Sequence, residues 1–190
     1  MKAKHALAVA AVLSMGIAAP AAAQTVDAIV AKLRATGTLS MGYRETLLPT
    51  SYLDENKKPT GYAVEMCHRI IDEVKKELKL PEIKVNYVPV TIQTRQALVA
   101  NGTIDIECGG TVNTFGRNKQ VDFSPVSYVA ASQLLVLKKS GIADFKDLNG
   151  KIVAVATGGS SEPELKHIIE ENKLNVRVLT VNDHAAGLIA

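Results

Sequence analysis

Three arginines, each set just beyond a run that reads as a β-strand, are the residues whose type and placement could do chemistry. Arg44 closes the run from Thr38, Arg95 follows the run ending near Val90, and Arg117 comes one turn after the run from Ile104 to Cys108. A guanidinium is a planar fork of N–H donors that matches a carboxylate, so three such forks suit an acidic ligand with a carboxylate at each end. Any one of them alone reads as an ordinary solvated arginine; the shared placement at strand ends singles them out. Ahead of Arg117, Cys108-Gly109-Gly110-Thr111-Val112 offers small and hydroxyl residues whose backbone N–H groups can converge on the same anion. Further on, Thr157-Gly158-Gly159-Ser160-Ser161-Glu162 joins an apolar strand to a helix. It reads either as a second anion-binding turn with Ser160 bonding directly, or as a capped helix start.

Other chemistry is missing its parts. Asp105, Glu107, Asp122 and Asp183 are single carboxylates with ordinary strand or cap explanations, and no Ser/His/Asp or Cys/His pattern emerges. The chain has 2 cysteines and 4 histidines in no zinc-ligand spacing, so no metal and no cofactor are expected. Cys67 falls in the helical series Val64, Cys67, Ile71, Val74, Leu78 and is expected to pack there as a small apolar residue. Both cysteines of an exported chain would meet an oxidising compartment, so a disulfide stays open as the alternative; Cys108 stands at a strand end with its partner, if any, unassigned.

Alternating periods position these residues. Thr25 can cap a helix bearing Val26, Ile29, Val30 and Leu33, which Gly37 ends. A strand over residues 38–44, a short extended piece at 51–53, a turn through 54–61 and an amphipathic helix over 63–80 follow. A strand over 83–90, a helix over 93–100 and a strand over 104–108 complete a strand-helix-strand series, which predicts a parallel, doubly wound α/β sheet. Ligands bind such sheets outside the carboxyl ends of the strands, where the arginines fall. The character changes near residues 128–132. A strand over 133–138, a polar connection over 141–150, a strand over 151–156 and a helix carrying Leu165, Ile168 and Ile169 read as the start of a second sheet.

Lys2, Lys4 and His5, an apolar stretch from Ala6 to about Ala18, and Ala21-Ala22-Ala23 before Gln24 have the form of a cleaved export signal over residues 1–23. The formal charge of +3 falls to +1 once Lys2 and Lys4 leave with that leader, and the remaining charges are scattered. Nucleic acid and anionic membrane therefore lack an electrostatic footprint. The 190 residues hold one full domain and part of another.

Four stretches resemble landmarks of the periplasmic solute-binding proteins of polar amino acid importers, in family order: Gly61-Tyr62-Ala63-Val64-Glu65, Asn101-Gly102-Thr103-Ile104-Asp105, Asp122-Phe123-Ser124-Pro125, and Asp147-Leu148-Asn149-Gly150-Lys151-Ile152-Val153. Gly42-Tyr43-Arg44-Glu45-Thr46, the run from Pro89 to Arg95, Glu107-Cys108-Gly109 and Asn182-Asp183-His184 are similar to the glutamate/aspartate-binding branch. The resemblance implies a two-lobe fold, with a complete first lobe over 24–130 and a partial second lobe over 131–190. It implies that Arg117 holds the α-carboxylate of an acidic amino acid, with Gly110, Thr111 and Val112 beside it and Ser160 bonding it from the second lobe. Arg44 and Arg95 would hold the side-chain carboxylate. His184 would lie near that end, or stand as a helix-start histidine. Close relatives place hydroxyl residues where this chain has Ile92, Gly110 and Val112, and Thr111 or Thr114 is expected to compensate.

A monomeric periplasmic protein without chemistry of its own is implied, closing on its ligand and docking on an inner-membrane permease of an ABC importer. The alternatives are a dehydratase or lyase on the same scaffold, or the sensory lobe of a receptor. The last residues, Gly187-Leu188-Ile189-Ala190, are apolar, and the resemblance implies that more of the second lobe follows them.

Overall fold

A computed structural model describes residues 25–190; the export signal read over residues 1–23 lies outside the described residues. Helix α1 (Val26–Thr36) begins where the Thr25 hydroxyl accepts from the Ala28 N–H, and ends where Gly37, at φ 63°, returns its N–H to the Leu33 carbonyl. Strand β1 (Thr38–Tyr43) follows, and then a small antiparallel unit of β2 (Thr46–Leu47), β3 (Ser51–Leu53) and β4 (Pro59–Thr60). Next come α2 (Tyr62–Glu77), β5 (Lys84–Pro89), α3 (Arg95–Ala100) and β6 (Ile106–Glu107). The main sheet has the order β5-β1-β6, all parallel, as the strand-helix-strand reading predicted.

β1 runs through the middle, with every residue after Thr38 buried. Leu39, Met41 and Tyr43 pack against Leu33 of α1 and Val64, Cys67 and Ile71 of α2, so the amphipathic face read for α2 is the one it buries. On the opposite face Gly42 leaves the space that Ile104 and Val90 fill; a Cβ there would collide with Ile104. Asp105 is anchored at the far end of this sheet, where one carboxylate oxygen takes Lys32 Nζ and the Ser40 N–H, each at 2.7 Å.

Cys67 is not merely a small core residue: it is bonded to Cys108, with Cα atoms 6.3 Å apart. Helical spacing placed it correctly on the buried face of α2, but that face lies directly over the end of β6. The pairing is a property of how α2 crosses the sheet, which periodicity along one helix does not report.

A second parallel pair, β7 (Ile152–Ala156) and β8 (Arg177–Val181), is joined by α4 (Ser161–Glu171) and followed by α5 (His184–Ile189). The strand expected over residues 133–138 is not formed. No ladder partner meets it among the described residues, and Leu135 and Leu137 of its apolar run are exposed. β8 had not been read from the sequence, and α5 only as the alternative in which His184 starts a helix.

Candidate functional site

The residue after β1 is Arg44, and the fold buries it. Its N–H donates to the Ser51 hydroxyl at 2.9 Å, and that hydroxyl donates back to the Arg44 carbonyl at 3.3 Å. Ser51 is fully buried in β3, so the small antiparallel unit pins the arginine's backbone from one side. Arg95 is the first residue of α3 and is also buried. The turn before it is held by Thr91 and Thr94, whose hydroxyls lie 3.1 Å apart.

Glu107, the last residue of β6, joins these two arginines. Burial pushes its carboxyl above the usual range, while Arg95 first, and Arg44 less, pull it down. Burial likewise lowers both arginines. Glu107 opposes this at Arg95, and Asp183 then Glu107 oppose it at Arg44; guanidiniums stay charged regardless. Arg44 Nη1, Arg95 Nε, Glu107 Oε1 and the Thr111 hydroxyl are all buried without a well-formed hydrogen bond in the protein. Buried polar atoms without partners are uncommon in folded chains, because each forfeits its hydration. Here donors and acceptors of that kind are gathered in one place.

Arg117 lies in a 3-10 turn (Arg117–Lys119) whose N–H bonds the Thr114 carbonyl at 3.0 Å. Its guanidinium donates through Nη1 to the Val112 carbonyl at 2.9 Å and through Nη2 to the Gly158 carbonyl at 3.2 Å. Val112 thus meets Arg117 through its C=O rather than its N–H. The Thr114 hydroxyl faces the Arg117 N–H at 3.4 Å, whereas the Thr111 hydroxyl faces the Glu107 carboxyl and helps to hold its pKa down. Gly110, at φ 79°, lets the strand turn away; a Cβ there would press on Thr50.

The second sheet reaches the same end of the first. Gln93 donates to the carbonyls of Thr157 and Asn182 at 3.1 and 3.3 Å, and the Thr46 hydroxyl donates to the Asp183 carboxylate at 3.2 Å. Ser160 precedes α4 and makes no side-chain cap bond, leaving its hydroxyl uncommitted. His184 is the first residue of α5 after the cap Asp183, which accepts the Ala186 N–H at 2.8 Å. Desolvation first, then Arg44 and Arg95, hold the His184 imidazole below its usual pKa, with Asp183 opposing.

Arg44, Arg95 and His184 therefore share one electrostatic environment, which Arg117 joins through its repulsion of Arg95 while its guanidinium lies against the turn that carries Ser160. Sequence reading had given Glu107 an ordinary strand explanation and had assigned no role to Gln93 or Thr46. Glu107 carried a signal, as an acidic residue between Ile106 and the buried Cys108 in a short strand. A separate cavity of about 270 Å³ runs between α2, α3 and β6; Arg95, Glu107 and Thr111 line it, but Arg44, Arg117, Ser160 and His184 do not.

The chain is similar to known solute-binding proteins. The chain is 41% identical over 180 residues to an L-glutamate/L-aspartate-binding protein of Pseudomonas aeruginosa, covering 94% of this chain and 60% of the relative. It is 40% identical over 177 residues to a glutamate/aspartate import solute-binding protein of Salmonella typhimurium, covering 90% and 57%. The chain thus spans less than two thirds of the length of these relatives. Among solved structures, an ancestral amino acid-binding protein, a precursor of cyclohexadienyl dehydratase, matches with a TM-score of 0.72 and 28% identity, over 85% of this chain and 68% of that one. This likeness identifies the periplasmic-binding-protein fold. Residues 39–178 match the bacterial extracellular solute-binding proteins, family 3, and the chain belongs to that family.

Proposed function

We propose that the protein is the periplasmic solute-binding component of an ABC importer, capturing glutamate or aspartate between two lobes and delivering it to an inner-membrane permease. The observation that carries the reading is the pair of buried guanidiniums, Arg44 and Arg95, with unbonded nitrogens beside a third arginine. Buried cations with open donors favour an anionic side chain over a neutral one, since a neutral ligand would leave their charge unmet. In this reading residues 24–130 form the first lobe and 131–190 belong to the second. Arg117 takes the ligand's α-carboxylate, with Gly110, Thr111, Val112 and Ser160 around it. Arg44 and Arg95 take the side-chain carboxylate, with His184 nearby. The protein acts as a monomer and performs no reaction.

The names of the relatives from Pseudomonas and Salmonella support the acidic ligand. The test is calorimetric titration of the mature protein encoded by the full reading frame with glutamate, aspartate, glutamine, asparagine and arginine. Tight binding confined to the two acids is expected. Preference for a neutral or basic amino acid would overturn the assignment.

A further inference from the structure

Glu107 is the last residue of the short strand β6. It lies between Ile106 and the buried Cys108, and its register partner on β1 is Gly42, which offers no bond to a side chain. Its placement is nevertheless tightly specified. A Cβ at Gly109 would collide with Glu107 Oε1 and come within 2.7 Å of Arg44 Cγ, so a glycine two residues on is what lets the carboxyl and the arginine stem lie together. A structural ion pair would close on its partner. Here Glu107 Oε1, Arg44 Nη1 and Arg95 Nε each remain unbonded although buried, and among the described residues no ion pair within 4 Å joins them. The carboxylate biases the two guanidiniums without consuming their donors.

We propose that Glu107 is the fixed counter-charge of the Arg44–Arg95 pair and determines how much negative charge the ligand's side chain must carry. The proposal rests on the reading of that pair as the side-chain end of an acidic amino acid site. Asp183 also faces Arg44 and Arg117 adds its charge at Arg95, so among these groups Glu107 is the negative one that acts on both guanidiniums of the pair. The more negative charge a ligand brings to that pair the more it works against Glu107, which disfavours a dianion relative to a monoanion where burial limits screening.

The test uses two ligands of the same tetrahedral shape that differ by one charge: L-cysteate, a sulfonate monoanion, and L-2-amino-3-phosphonopropionate, a dianion at pH 8. Both are measured by displacement of bound aspartate from the mature protein encoded by the full reading frame. The parent is expected to favour the sulfonate. Glu107→Gln, which keeps the shape and removes the charge, should move the ratio of the two affinities at least tenfold toward the phosphonate, and Glu107→Asp should leave it within about threefold of the parent. A parent that binds aspartate but does not distinguish the two, or a Gln variant that weakens both equally, would overturn the proposal. Should the Gln variant fail to fold, Glu107→Asn removes the same charge with a shorter side chain and must move the ratio in the same direction. A parent that binds neither glutamate nor aspartate would instead defeat the underlying reading of the site.

Discussion

The Cys67–Cys108 disulfide fastens the buried face of α2 to the residue that separates Glu107 from Gly109. It therefore holds the strand end from which the segment leading to Arg117 departs. The cysteines are 41 residues apart in sequence, and closing a loop of that size constrains the unfolded chain by roughly 3 to 4 kcal/mol. Replacing both cysteines with alanine should lower stability by about that amount in urea denaturation and weaken glutamate binding as well. Unchanged midpoints for the oxidised and doubly substituted proteins would show that packing alone holds this corner.

Much of the scaffold was legible because it is local. Thr25 and Gly37 bracket α1 through cap chemistry, and the period of Val64, Cys67 and Ile71 describes the face that α2 buries. The arginines were legible for a topological reason, since parallel strands end at one side of a sheet and residues just beyond them gather there. What escaped depends on approach between distant segments. The disulfide needs α2 over β6. The unformed strand over 133–138 has the composition of a strand but no ladder partner among the described residues. The roles of Thr46 and Gln93 exist only because residues 157 and 182–183 meet them.

Arg117 donates to two carbonyls, that of Val112 in the segment after β6 and that of Gly158 in the turn before α4. Arg117→Ala should cost about 2 to 5 kcal/mol of glutamate binding, the range for truncating one partner of a desolvated charge pair. Near-normal affinity by calorimetry would remove Arg117 from the site.

Selectivity should rest on the other two arginines. Arg44→Met or Arg95→Met is expected to weaken glutamate and aspartate at least tenfold more than glutamine and asparagine, because only the acids require that charge. Equal losses across all four ligands would mean that these side chains support the fold rather than read the ligand.

Gly109 is the position where a single methyl group separates packing from chemistry. Gly109→Ala sets a Cβ against the Glu107 carboxyl and the Arg44 stem, both buried. An overpacked site of this kind costs about 1 to 3 kcal/mol of stability. Ligand binding should fall further than thermal stability does, since both displaced groups belong to the charge cluster. A variant with a lowered Tm but parental affinity would contradict this.

His184 supplies a pH signature for the same cluster. In the free protein, desolvation and the charges of Arg44 and Arg95 depress its pKa, while Asp183 raises it. A group depressed by folding binds fewer protons in the native state, so this residue makes stability rise with pH between its folded value and its ordinary one near 6.5. A ligand carboxylate placed against Arg44 and Arg95 cancels part of their repulsion and favours the imidazolium. Binding should then take up a fraction of a proton, and affinity for glutamate should increase as pH falls through the window from the bound pKa to the free one. Calorimetry near pH 6 in two buffers of different ionisation enthalpy reads that uptake directly, and His184→Gln should abolish it. Glutamate binding with no proton uptake in the parent, or with uptake unchanged in the variant, would separate His184 from the side-chain end of the site.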